Sequence, residues 1–199
     1  MSLTAKVMCL AFATLFPNPW DKPDVMCKYT EHILEVSEKY NLNPYLIIAV
    51  ARKESAWTVN IKKSKAGACG LMQVIPRHTK KYADRHYTCQ ELKDPRIALD
   101  VGAQALKYAF KFTDTGKNVK QALCIYSAGP PSKKNPTCKG WKAKKHGTSY
   151  ARWVLKRKKA LEDRVEDILV CLDDPQCEAE WEFPKSVDEY IGNLINEYE

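Results

Sequence analysis

The chain has 199 residues, 45% of them hydrophobic, with eight glycines and a formal net charge of +8. That length suits one domain with a short appendage and a real core, and the composition excludes a disordered or collagen-like chain. No stretch reaches the length and apolarity of a transmembrane helix. The charge is segregated. Residues 1–132 carry about +8, residues 133–161 hold eleven Lys/Arg and no acid, and residues 162–199 hold thirteen acids against Arg164 and Lys185. The basic middle suits a polyanion, either nucleic acid or an acidic cell-wall polymer, with an ordinary solvated surface as the alternative. The eight cysteines (Cys9, Cys27, Cys69, Cys89, Cys124, Cys138, Cys171, Cys177) are even in number and include no Cys-x-x-Cys pair. They point to disulfides and an oxidising compartment rather than to a structural zinc site.

In chain order, Lys6 precedes an apolar run over residues 7–16 that Pro17-Asn18-Pro19 closes. Its size is that of a signal-peptide core and is too short to span a bilayer. An export signal within residues 1–20 is the favoured reading, with Ala11-Phe12-Ala13 as the cleavage candidate. The alternative is an ordinary buried segment, and cleavage would remove Cys9 and leave an odd number of thiols. A helix is expected over residues 24–40, capped by Asp24, with Met26, Tyr29, Ile33, Val36 and Tyr40 on one face. Asn43 followed by Pro44 is a matched start signal for the next helix, which is apolar on most faces and therefore central. It ends near Glu54-Ser55-Ala56-Trp57.

Glu54 is the one acid between Arg52 and Ala83. On so apolar and basic a stretch, desolvation would raise its pKa toward the range of a general acid. The plainer reading is a surface ion pair with Arg52 or Lys53. Trp57 reads as core before it reads as a sugar platform. Beyond it, Gly67 and Gly70 permit positive φ and close backbone approach in a compact loop, and a short helix starts at Pro76. His78 and His86 read as surface residues with no metal-ligand spacing. Asp94-Pro95 starts a strong helix with Ile97, Val101, Ala105, Tyr108 and Phe112 on one face. A short helix over residues 119–125 runs into Tyr126-Ser127-Ala128-Gly129-Pro130. Residues 130–147 read as a loop whose lysines and Trp141 suit an anionic glycan or single-stranded nucleic acid equally. A helix then starts at Thr148 and continues to Leu172. After a Cys171–Cys177 turn, a last helix begins at Ser186, with Trp181, Phe183, Ile191 and Leu194 as apolar packing residues.

Three motifs stand in order: Glu54-Ser55-Ala56-Trp57, then Ser64-x-Ala66-Gly67-Ala68-x-Gly70-Leu71-Met72-Gln73, then Tyr126-Ser127-Ala128-Gly129. Together they closely resemble the lytic transglycosylases of the soluble (SLT) type, lysozyme-like enzymes that cleave the glycan strands of peptidoglycan. The resemblance spans roughly residues 24–155, and a late Tyr150 with Val154 is similar to the family's last motif. It implies a mainly α, lysozyme-like fold with a small β-hairpin or loop element beside the cleft. It also implies Glu54 as the single catalytic acid and base, with Ser64, Met72, Gln73, Tyr126, Ser127 and Tyr150 binding substrate. The Tyr126 hydroxyl would bond the acid or the sugar. Three positions depart from type: Ser127 stands where the family usually has Asn, Ile75 where relatives often have Met, and Gly147-Thr148-Ser149 where the usual lead-in is Glu-Thr.

The expectation is thus a peptidoglycan lytic transglycosylase domain over residues 24–155 and a helical extension of unknown role over residues 156–199. It would cut the MurNAc-β-1,4-GlcNAc bond with 1,6-anhydro products, using no cofactor and no metal. Its partner would be the glycan strand, not nucleic acid, and it would act as an exported monomer or in a phage particle or a secretion or conjugation assembly. A muramidase on the same fold and a non-catalytic polyanion binder are the alternatives.

Overall fold

The computed structural model describes residues 1–113, 116–129 and 141–172, without the side chains of Pro19 and residues 141–148. Helix α1 (Leu3–Leu15) opens on Ser2, whose hydroxyl accepts from the amide of Ala5 at 3.3 Å. Residues 7–13 are all buried, so every face of this helix is covered. Phe12 packs edge-to-face on Trp57 with ring centroids 6.2 Å apart, and Cys9 is disulfide-bonded to Cys27. The apolar run of residues 7–16 thus packs into the core of this structure.

The single helix expected over residues 24–40 is two, α2 (Pro23–Lys28) and α3 (Thr30–Tyr40). The Thr30 hydroxyl takes the carbonyls of Cys27 and Met26 at 2.9 and 3.2 Å, and this local competition breaks the ladder at Tyr29. Helix α4 (Pro44–Ser55) starts as its sequence signals, with Asn43 accepting from the Leu46 amide at 3.0 Å. Residues 46–51 of α4 are all buried, which makes it the central helix. Helix α5 (Pro95–Phe110) is capped by Asp94, which accepts from Arg96 and Ile97. Helix α6 (Val119–Ala128), capped by Asn118, runs three residues past its expected end and so carries Tyr126 and Ser127 on helical backbone.

Helix α7 (Trp141–Leu172) begins inside the stretch expected to be a loop and continues for 32 residues, about 48 Å at 1.5 Å per residue. It packs against α6, α4 and α1. The Cys171–Cys177 turn, the helix from Ser186 and the packing of Trp181, Phe183, Ile191 and Leu194 lie outside the described residues.

The architecture is mainly α, as expected. The expected hairpin, however, is reduced among the described residues to one antiparallel bridge between Cys69 and Val74. Gly67, Gly70 and Gln73 all have left-handed φ (88°, 73° and 46°), which curls the chain too tightly for strand pairing to extend. A Cys69–Cys89 disulfide holds this loop instead. Cys124 and Cys171 are disulfide-bonded as well, and no described cysteine is free. Among the described residues no helix is long and apolar enough to cross a membrane.

Candidate active site

Glu54 lies in the last turn of α4. The chain turns away abruptly behind it, because Ala56 and Trp57 both adopt left-handed φ (47° and 61°). Such a conformation is strained for a bulky residue and persists only where surroundings over-determine it. Here the Trp57 amide donates to the Ser55 hydroxyl at 3.1 Å and the indole is fully buried. Trp57 is thus core, as read from the sequence.

The ion pair considered for Glu54 is not formed with Arg52. Arg52 instead pairs with Asp21 through bonds of 2.9 and 3.2 Å and stacks over the Phe16 ring at 3.7 Å. Lys53 turns toward Trp153, 4.8 Å from its ring centroid. Burial pushes the Glu54 carboxyl up from its ordinary 4.5 to about 7, against the opposing effects of a Tyr150 hydrogen bond and the Lys53 charge. The negative end of the α4 dipole acts in the same direction as burial. The Tyr150 hydroxyl donates to Glu54 Oε1 at 2.6 Å.

Tyr126 lines the cavity and bonds backbone rather than Glu54. Its hydroxyl donates to the Met72 carbonyl at 2.6 Å, so in this structure it fastens the Gly70–Gln73 turn while Tyr150 holds the acid. Burial raises both phenols well above their usual pKa, so both remain donors across the working pH range. Met72 lies within the Gly70–Gln73 turn. Its side chain is fully buried and a Cβ on Gly102 would lie only 2.4 Å from it. An apolar side chain next to a bare helix backbone packs better than it would in an open groove, so only the Met72 backbone faces the site's hydrogen bonding.

The remaining expected residues do come together. Ser64, Gln73, Tyr126 and Ser127 line one cavity of about 480 Å³ with Glu54. Ser64 Oγ accepts from the Ala68 amide at 3.0 Å, Gln73 Nε2 donates to Gly70 O at 3.1 Å, and Ser127 Oγ donates to Cys124 O at 3.1 Å. Glu54 is the sole carboxylate among the described residues that line the cavity. The three aspartates best placed in sequence to assist it are engaged elsewhere. Asp84 accepts from the Tyr87 hydroxyl, Asp94 caps α5, and Asp100 takes Lys39, Tyr40 and Gln104.

This arrangement coincides with a family match over residues 31–149, to the model described as the transglycosylase SLT domain. The chain belongs to the SLT transglycosylase family. It is 33% identical over 112 residues to the soluble lytic murein transglycosylase of Escherichia coli K12, and equally to that of Salmonella typhimurium LT2. The matched stretch covers 54% of this chain and 16% of either relative, so the chain spans far less than the length of the curated proteins it matches.

The SLT match begins in α3 and stops one residue before Tyr150, so α1, α2 and the tyrosine bonded to Glu54 lie outside it. Four polar or aromatic lining residues lie outside the expected site: His78, Lys81, Tyr82 and Tyr108. The α5 face carrying Tyr108 read as purely structural and His78 as surface. Helical periodicity marks a face as covered, but it does not say whether the cover is protein or substrate.

Proposed function

We propose that this SLT-family chain is a peptidoglycan lytic transglycosylase that cleaves the β-1,4 bond between N-acetylmuramic acid and N-acetylglucosamine, leaving 1,6-anhydro ends. The observation that carries this reading is a cavity with Glu54 as the sole carboxylate among its described lining residues, its pKa raised by burial to about 7. Glu54 gives its proton to the bridging oxygen as the bond from that oxygen to the muramyl anomeric carbon breaks. The resulting carboxylate then takes the proton of the muramyl 6-hydroxyl as that oxygen bonds the same carbon. Glu54 ends protonated, and no water is consumed. A hydrolase of the usual kind needs a second carboxylate flanking the bond, and the positions of Asp84, Asp94 and Asp100 favour the one-acid route.

Ser64, Gln73 and Ser127 would offer hydrogen bonds to the sugars from the cavity wall. Tyr126 and the Met72 backbone would keep that wall in shape. The disulfides fit action in an oxidising, exported setting where peptidoglycan is found.

Product mass tests the reaction. Digests of purified peptidoglycan should contain anhydromuropeptides, one water lighter than hydrolysed ones, with no gain in reducing ends. Reducing N-acetylmuramic acid as the main product would replace this reading with a muramidase.

The role of Tyr150 gives a pH test. Its donated bond stabilises the charged carboxylate and so lowers the Glu54 pKa. Tyr150→Phe should therefore raise that pKa and move the alkaline limb of the kcat/KM profile, where the general acid is lost, to higher pH. An unmoved limb, or one moved to lower pH, would mean that the bond does not tune the acid.

A further inference from the structure

The cavity contains a charged feature that the cleavage step leaves unused. The 3-10 turn Pro76–Lys81 sends His78 and Lys81 to its lining, beside Tyr82 and, from α5, Tyr108. Lys81 lines the cavity while remaining solvent-exposed. Among the described residues Lys81 has no ion-pair partner, since Asp84, the nearest acid in sequence, is bonded to Tyr87. The surroundings are otherwise positive. Arg77 and Lys80 share the turn, and Lys111 lies 5.9 Å from the Tyr108 ring centroid.

His78 is held neutral, its pKa lowered by burial and by the charges of Lys81 and Arg77. Arg77 Nε donates to His78 Nε2 at 3.4 Å, which leaves the ring proton on Nδ1 as a donor. The rings of Tyr82 and Tyr108 lie 5.9 Å apart, inclined at 48°, and give the cavity an aromatic wall. With Glu54 uncharged below about pH 7, the cavity then carries a net positive charge. A neutral sugar has no use for that charge, whereas a carboxylate does.

We propose that Lys81 and His78 form a carboxylate-recognition subsite, which takes an acidic group carried by the glycan strand. The inference rests on the glycan reading above and adds the chemistry by which this cavity would select among glycans. Lys81 would supply the charge, His78 a neutral donor, and the Tyr82–Tyr108 pair the apolar contact for the sugar or linker bearing the acid. Such an acid has two sources, the lactyl carboxylate of peptide-free muramic acid and the carboxylates of a stem peptide.

The test is calorimetric binding by the Glu54→Gln protein, which removes turnover. Three ligands of equal sugar count are compared: a peptide-free muramyl oligosaccharide, a peptide-bearing one and an uncharged N-acetylglucosamine oligomer. At least one carboxylate-bearing ligand should bind more tightly than the uncharged oligomer, and which one does so identifies the source. Adding Lys81→Gln should weaken that ligand roughly five- to tenfold, as loss of a charge-assisted bond does. The uncharged oligomer should change less than about twofold, and Lys81→Arg should largely restore the preference. Equal affinity for all three ligands, or equal weakening of all three by Lys81→Gln, would overturn the subsite and leave the glycan reading standing. Binding to none of them would overturn both.

Discussion

Glu54→Gln should lose at least about a hundredfold in wall-lytic activity, as removal of a general acid does, while becoming more stable than the parent above neutral pH. Both effects come from the burial of this one carboxyl. A carboxyl whose pKa rises from 4.5 unfolded to about 7 folded binds its proton more tightly in the native state. Its protonated form fits the site below pH 4.5. As pH climbs from 4.5 to 7 the unfolded chain releases the proton first, and stability falls by on the order of 3 kcal/mol. Glutamine has no proton to lose and escapes that penalty. The difference should therefore be absent at pH 4, grow through the interval and level off near pH 8, where roughly 2–4 °C of melting temperature accompany each kcal/mol. Turbidity clearing of peptidoglycan measures the first effect and thermal melts at pH 4 and pH 8 the second. A variant that melts lower at pH 8 would show that Glu54 is not desolvated. Near-normal clearing by a folded variant would remove Glu54 from the reaction altogether.

Gly70→Ala should destabilise the protein by roughly 3 kcal/mol or more. A Cβ at this position would lie 1.9 Å from the carbonyl oxygen of Leu92 and 3.2 Å from Ala98 Cβ, on a residue with φ of +73°. The obstacle is backbone, tied into the start of α5, and cannot swing aside as a side chain end would. The damage would reach the cavity, because Gly70 O accepts from the Gln73 amide and side chain. Gly67→Ala is the control. Its Cβ would meet only Lys63 Cε at 3.4 Å, so it should suffer little beyond the left-handed backbone penalty of about 1–2 kcal/mol. Denaturant unfolding of the two variants gives the comparison. Equal losses would mean that the loop can move off Leu92.

The sequence by itself determined the starts of α4 and α5, the central place of α4 and the family to which the motifs belong. Those features are local or strongly typed. Asn43-Pro44 and Asp94-Pro95 state where helices begin, because their side chains cap amides two or three residues away. The motifs around Glu54, Gly70 and Tyr126 likewise name their family without coordinates. What only the tertiary structure decided was which groups meet across the chain. The hydrogen bonds of the two tyrosines, Tyr150 to Glu54 and Tyr126 to the Met72 carbonyl, join residues 96 and 54 positions apart. The burial of Met72 against Gly102, the packing of α1 as core and the arrival of His78, Lys81 and Tyr108 at the cavity are of the same kind. A side chain's burial and hydrogen-bond partner depend on what packs over it, and residue type or periodicity along the chain carries no record of that neighbour.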